Sequence, residues 1–149
     1  MKKIINAIGL IGILAFTGLC LSACHRDLDV QQPYPFKVET MPVQKDIAQG
    51  ETAEIRCTLL RGGHFTDTRY TLRYFQYEGK GHLRIGYSGD SLIPNDRYPI
   101  QSGDFRLYYR SESRERQSLE LVFEDNHGQQ QTIHLDFNAK QTKDETAHN

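Results

Sequence analysis

Two runs decide the fold: Gln117-Ser118-Leu119-Glu120-Leu121-Val122-Phe123-Glu124 and Gln131-Thr132-Ile133-His134-Leu135-Asp136-Phe137-Asn138. In the first, Leu119, Leu121 and Phe123 recur at every second position; in the second, Ile133, Leu135 and Phe137 do the same. A period of two places one row of apolar side chains on one face of an extended strand. A helix would need them three and four apart. Between the runs lies Asp125-Asn126-His127-Gly128, a turn in which Asn and Gly are read as supplying positive-φ positions. The pair is therefore predicted to be a β-hairpin with its apolar face inward.

The same pattern extends upstream. Arg69 to Tyr77 sets Tyr70, Leu72 and Tyr74 against Arg73, Phe75 and Tyr77. Thr52 to Leu60 aligns Ala53, Ile55, Cys57 and Leu59, and Phe105 to Arg110 sets Phe105, Leu107 and Tyr109 against Arg106, Tyr108 and Arg110. His82 to Ile85 and the segment around Phe36 and Val38 are shorter strands. Gln49-Gly50-Glu51, Arg61-Gly62-Gly63-His64 (a flexible turn) and Glu78-Gly79-Lys80-Gly81 separate them, Pro42 marks an edge or a bulge, and Asp90 to Pro99 reads as loop. About seven short strands at spacings near 8–12 residues, without a convincing helix, predict an all-β protein, an immunoglobulin-like β-sandwich. The inter-sheet cysteine pair and buried Trp of antibody domains are missing, so strand order stays open. The sandwich is assigned to residues 35–138 and a disordered polar tail to 139–149.

The start of the chain has a different character. Met1-Lys2-Lys3 is basic, Ile4 to Leu21 is apolar apart from Asn6 and Thr17, and Leu21-Ser22-Ala23-Cys24 closes with small residues. That is the layout of a secretory signal peptide, assigned to 1–23. The apolar stretch is near the lower limit for spanning a bilayer, but His25-Arg26-Asp27-Leu28-Asp29 lacks the basic flank of a stop-transfer helix. Leu21, Ser22, Ala23 and Cys24 resemble a bacterial lipobox, in which the Cys thiol is the nucleophile that takes a diacylglyceryl group. Cys20 lacks that context. Two or more acyl chains give stable attachment, so the mature protein is predicted to be held by membrane lipid through Cys24, with residues 24–34 as its tether.

Removing residues 1–23 from the 149-residue chain leaves 126, one domain's worth, with 16 Lys+Arg against 19 Asp+Glu and a net charge of −3. That balance argues against a nucleic-acid partner. Cys57 would be the sole free thiol, a small buried residue rather than a nucleophile, since a reactive thiol needs an electropositive, accessible site. The histidines (His25, His64, His82, His127, His134 and His148) form no ligand pair, and His134 alternates with core residues and faces outward, so no metal is expected. No calcium loop, P-loop, G-x-G-x-x-G or G-x-S-x-G occurs, and neither a cofactor nor catalytic residues are assigned. Eight Tyr and seven Phe without Trp are more aromatics than one core holds. The candidate interaction surfaces are the face bearing Phe75, Tyr77 and Tyr108 and the loop Pro94–Pro99, with Asn95, Asp96, Arg97 and Tyr98. Cross-strand packing is the plainer role for any one Tyr.

Longer runs carry a family resemblance. Leu28-Asp29-Val30-Gln31-Gln32-Pro33-Tyr34-Pro35-Phe36, Val38-Glu39-Thr40-Met41-Pro42-Val43-Gln44-Lys45, Leu92-Ile93-Pro94-Asn95-Asp96-Arg97-Tyr98-Pro99, Phe105-Arg106-Leu107-Tyr108-Tyr109 and Val122-Phe123-Glu124-Asp125-Asn126 resemble the TraQ-type conjugative-transposon lipoproteins of Bacteroidetes. Gln49-Gly50-Glu51, Ile55-Arg56-Cys57 and Tyr74-Phe75-Gln76 add to the match. The resemblance implies an immunoglobulin-like sandwich and a non-enzymatic, lipid-anchored accessory or structural part of a transfer (mating) apparatus, in contact with other proteins of that apparatus. It supplies no catalytic residues. It implies a place in the cell envelope, at the outer membrane. Family members often carry acids directly after the lipid Cys, a feature linked to surface display. His25-Arg26 stand there in this chain, which leaves open the face on which it sits. The alternative reading is a surface-displayed glycan- or cell-recognition module. An envelope hydrolase is a third, without a nucleophile, metal site or acid pair to support it.

Overall fold

A computed structural model describes residues 34–63 and 67–140. The signal peptide, Cys24 with its lipobox, nearly all of the tether, His64 and residues 141–149 lie outside the described residues. Among the described residues nine strands follow one another: β1 (Phe36–Thr40), β2 (Asp46–Ile47), β3 (Thr52–Arg61), β4 (Tyr70–Glu78), β5 (Gly81–Ile85), β6 (Tyr98–Ile100), β7 (Gly103–Ser111), β8 (Gln117–Asp125) and β9 (Gln130–Ala139). They form a four-stranded sheet, β1-β3-β7-β5, and a five-stranded sheet, β2-β9-β8-β4-β6. The described residues contain no helix. The architecture is the all-β sandwich that the alternation predicts.

Two of the nine strands escape the pattern of alternation, which accounts for about seven. β2 has two residues and β6 has three, too few for a period to show. β6 closes the segment read as loop, because Tyr98 to Ile100 pair with Leu72 to Tyr70 at the edge of the five-stranded sheet. The resulting strand order follows the immunoglobulin plan. β1, β3, β7 and β5 occupy the A, B, E and D places, while β9, β8 and β4 occupy G, F and C. β2 runs parallel to β9, with Asp46 opposite Asn138. One departure stands out: the chain visits the D place with β5 before it returns to extend the other sheet with β6.

The core lies where the alternating rows meet. Ala53, Ile55, Cys57 and Leu59 from β3 and Leu107 and Tyr109 from β7 face Leu72 and Tyr74 from β4, Leu119, Leu121 and Phe123 from β8, and Leu135 and Phe137 from β9, all buried. Burying a side chain of this kind stabilises the fold by roughly 1.5–3 kcal/mol. Tyr109 stacks on Phe137 across the sheets at 5.6 Å between centroids. Its hydroxyl donates to Oε1 of the wholly buried Gln117 (2.6 Å). A Cβ at Gly79, which has a φ of +76°, would collide with that Gln117 amide, so the β4–β5 turn requires glycine.

The β8–β9 turn differs from its expected form. Gly128 has a positive φ (88°) but Asn126 does not. The amides of His127 and Gln129 donate to Asp125 Oδ1, the Asp125 amide donates to the Gln129 carbonyl, and three residues span the turn. A three-residue loop of this kind needs only one left-handed position, its last. Asn126 instead accepts from the Arg69 amide and donates to the Asp67 carbonyl, tying the hairpin to the start of β4.

Candidate interaction surfaces

Four candidate residues gather at the outer side of the five-stranded sheet and the segment before β6. Val122 faces outward between Arg73 and Thr132, yet it is only 5 % exposed. Beside it Glu124, whose side chain is 8 % exposed, receives Arg73 Nη2 at 2.7 Å on one oxygen and Arg97 Nε at 2.7 Å on the other. Gln130 Nε2 also donates to Glu124 Oε1 (2.8 Å). Arg73 lies over the Phe75 ring, 5.3 Å from its centroid, and Phe75 stacks on Tyr77. The loop is pinned from both ends of this cluster. Asn95, with a φ of 65°, donates its amide to the Tyr74 carbonyl (2.8 Å), and its Oδ1 accepts from Arg73. A carboxylate this buried is tolerable because charged donors satisfy both oxygens.

Tyr98 is turned the other way. It stands opposite Leu72 on the inner side, packs against the core, and its hydroxyl accepts from the Ile93 amide (2.7 Å). Asp96 Oδ1 accepts from the Arg97 amide, closing the turn locally. Of the loop candidates, Arg97 is the one joined by an ion pair to the sheet.

Tyr108 is on the opposite side of the molecule. β7 belongs to the four-stranded sheet, so the structure does not unite Tyr108 with Phe75 and Tyr77 on one face. The alternation of β4 and β7 is read correctly, but alternation within a strand is silent about which sheet the strand joins. Tyr108 is half-buried, meets Tyr87 edge-on at 5.5 Å and hydrogen-bonds Glu54, which also pairs with Arg106 at 2.9 Å. Tyr77 and Tyr87, at 64 % and 76 % exposed, are the most open of the tyrosines. Two surfaces result: one bearing Phe75, Tyr77 and the Arg73–Glu124–Arg97 cluster, the other bearing Tyr87 and Tyr108.

Burial pushes the Cys57 thiol up to about 12, and the residue is 2 % exposed, so at neutral pH it is a protonated core group. Burial likewise raises the hydroxyl of Tyr109 to about 12. No group of three or more His, Cys, Asp or Glu side chains comes together among the described residues. His134 is exposed and lies 3.7 Å from Glu120 across the sheet.

Sequence reading overlooks one polar side chain. Gln131 projects from β9 to β1, where its Oε1 accepts from the Val38 amide (2.6 Å) and its Nε2 donates to the Val38 carbonyl (2.8 Å). A side-chain amide thus pairs with one residue of β1 as a neighbouring strand would. It bridges the two sheets along their β1/β9 side. Its place in the inward row of β9, where apolar residues follow, is the one sequence signal that it does something there.

Fold and surface together define a small sandwich domain with two candidate contact faces. A family model described as TraQ conjugal transfer protein matches residues 7–140. The chain belongs to the TraQ conjugal transfer protein family. Among solved structures, it is similar to a conjugative transposon lipoprotein from Bacteroides eggerthii DSM 20697, at 45 % identity over 70 % of this chain and 98 % of that one (TM-score 0.65). It is also similar to a lipoprotein from Bacteroides thetaiotaomicron, at 48 % identity over 82 % and 93 % (TM-score 0.66). A third is a conjugate transposon protein from Bacteroides vulgatus, at 49 % identity over 83 % and 99 % (TM-score 0.63). No curated protein matches the chain.

Proposed function

We propose that this TraQ-family chain is a lipid-anchored, non-enzymatic part of a conjugative transfer apparatus and works by protein contact. The observation that carries the reading is the pairing of Leu21-Ser22-Ala23-Cys24 with a sandwich whose first strand opens twelve residues later, at Phe36. Two of the solved relatives are themselves described as lipoproteins. The chain enters the sandwich at one end: the Pro35 carbonyl accepts from Gly62 and the Tyr34 carbonyl from Gln129. An anchor at Cys24 would join the sandwich at that end, the one that carries the β3–β4 and β8–β9 turns. The far end of the sandwich lies away from that junction. There Gly50 donates to the Ser111 carbonyl, Gln49 to the Glu112 carbonyl and Glu112 to the Lys80 carbonyl, tying three turns into one platform. An outer-membrane site accords with the resemblance. Deleting the gene from a donor should lower the frequency of transfer, and a wild-type copy should restore it; transfer at the parental frequency in the deletion strain would refute the reading.

The edge-on pair of Tyr87 and Tyr108 favours a second reading, a platform for a glycan or a neighbouring cell. A saturable hit on a glycan array that Tyr108→Ala abolishes would support it, and silence of the array would remove it.

A further inference from the structure

The four outer edges of the sandwich are not treated alike. An unpaired edge offers a row of N–H and C=O groups to any extended chain, and proteins usually blunt such edges. β1 is blunted by the Gln131 amide at Val38. β5 is covered by the segment after it, since Leu92 donates to the Leu83 carbonyl and Ser91 bridges to Arg84. β6 has three residues, one of them Pro99. The remaining edge belongs to β9, because β2 pairs only with Asn138 and Ala139.

Strand parity shows which groups that leaves open. Asn138 and Lys140 donate their amides to the β2 side, and the β8–β9 ladder is regular from Gln117–Phe137 to Glu124–Gln130. Gln130, Thr132, His134 and Asp136 therefore point their backbone groups away from β8, and among the described residues none of those groups has a partner. The open stretch runs about 20 Å at 3.3 Å per residue. Gln130, Thr132, His134 and Asp136 are exposed. The side chains of His134 and Asp136 do not shield the edge, for each leans back over its own sheet: His134 toward Glu120 and Asp136 toward Arg116 (3.2 Å).

We infer that this edge pairs with the same edge of a second copy of the chain, antiparallel about Ile133, joining two five-stranded sheets into one. The register is what selects a copy of itself. Centred on Ile133, the pairing sets Thr132 opposite His134 of the other copy and Gln130 opposite Asp136, so no like charges meet. It also sets the half-buried Ile133 against its counterpart on the core side, where each now has an exposed flank. A centre on His134 would oppose two histidines. An edge pair of this length belongs with small, reversible interfaces. The inference stands on strand geometry and is independent of the anchor.

The pairing places Ile133 and its mate at a non-hydrogen-bonded site, where Cα atoms are about 4.5 Å apart and a disulfide is feasible. In the full chain in its host membrane, Ile133→Cys should form a covalent dimer under mild oxidation, well above both the parent chain and Lys37→Cys on the outer face of β1. His134→Pro removes one outward N–H, a change that an edge tolerates, and should reduce crosslinking through Ile133→Cys at least tenfold. His134→Ala keeps the N–H and should crosslink as the parent pair does. Circular dichroism of each variant checks that the sandwich persists. Crosslinking of Ile133→Cys no better than Lys37→Cys, crosslinking to a different protein, or equal dimer from His134→Pro and His134→Ala would each overturn the inference.

Discussion

Cys57 occupies the inward row of β3, and burial raises its thiol from an ordinary 9.0 to about 12. Tyr109, across the core, goes from 10.0 to about 12 for the same reason. In both cases the folded state favours the protonated form. Their contribution to stability is complete below pH 9, then is lost as pH rises through the window up to about 12, because the unfolded chain releases these protons first. Cys57→Ala should therefore flatten the fall of unfolding free energy above pH 9, by up to about 1.4 kcal/mol per pH unit, the value of one proton. Denaturant titrations at pH 8, 10 and 11 measure it; an unchanged slope would contradict the assignment. Glu124 is a residue whose importance is spatial. Its place in the strand shows an acid on the outward row, but Arg97 reaches it from a segment 27 positions earlier in the chain. Glu124→Ala leaves the largely covered Arg73 without its anion and should cost about 3 kcal/mol, near the low end for a broken buried pair. Arg97→Ala, at the exposed end of the cluster, should cost about 0.5–1 kcal/mol.

At the scale of the strand, alternation is a strong signal when a run is long and one face is buried. β3, β4, β7, β8 and β9 each have nine or ten residues, and the inward rows read from sequence coincide with those in the core. β2 and β6 are invisible by that measure, since they are defined by their partners rather than by their own pattern. The same limit explains Tyr98, which resembles a loop tyrosine until β4 pairs with it, and Tyr108, whose sheet depends on strand order. Gln131 shows how a polar residue in an inward row serves an element that it does not belong to. Gln131→Ala should expose the Val38 amide and speed its hydrogen exchange, with a loss of about 1–2 kcal/mol for two ungratified backbone groups. Exchange at Val38 equal to wild type would show that the bridge contributes nothing in solution.

At the scale of the molecule, the immunoglobulin plan brings the chain in at one end and gathers three cross-tied turns at the other. The sequence alone foretells the sandwich because apolar rows of period two have nowhere else to bury. It is silent on how the two surfaces divide, because that depends on sheet membership. The contact surface is the part of the function least visible in the residues: no constellation marks it, and Tyr77 and Tyr87 differ from buried tyrosines only in what lies around them. Membership in a transfer family makes the membrane the natural place for such a domain, and a thioether at Cys24 is what would hold it there.

Intact mass spectrometry of the chain purified from donor membranes tests this most directly. The reading predicts a polypeptide that begins at Cys24 and carries the mass of two or three fatty acyl chains on that residue. A chain that still carries residues 1–23 with a bare thiol would contradict it.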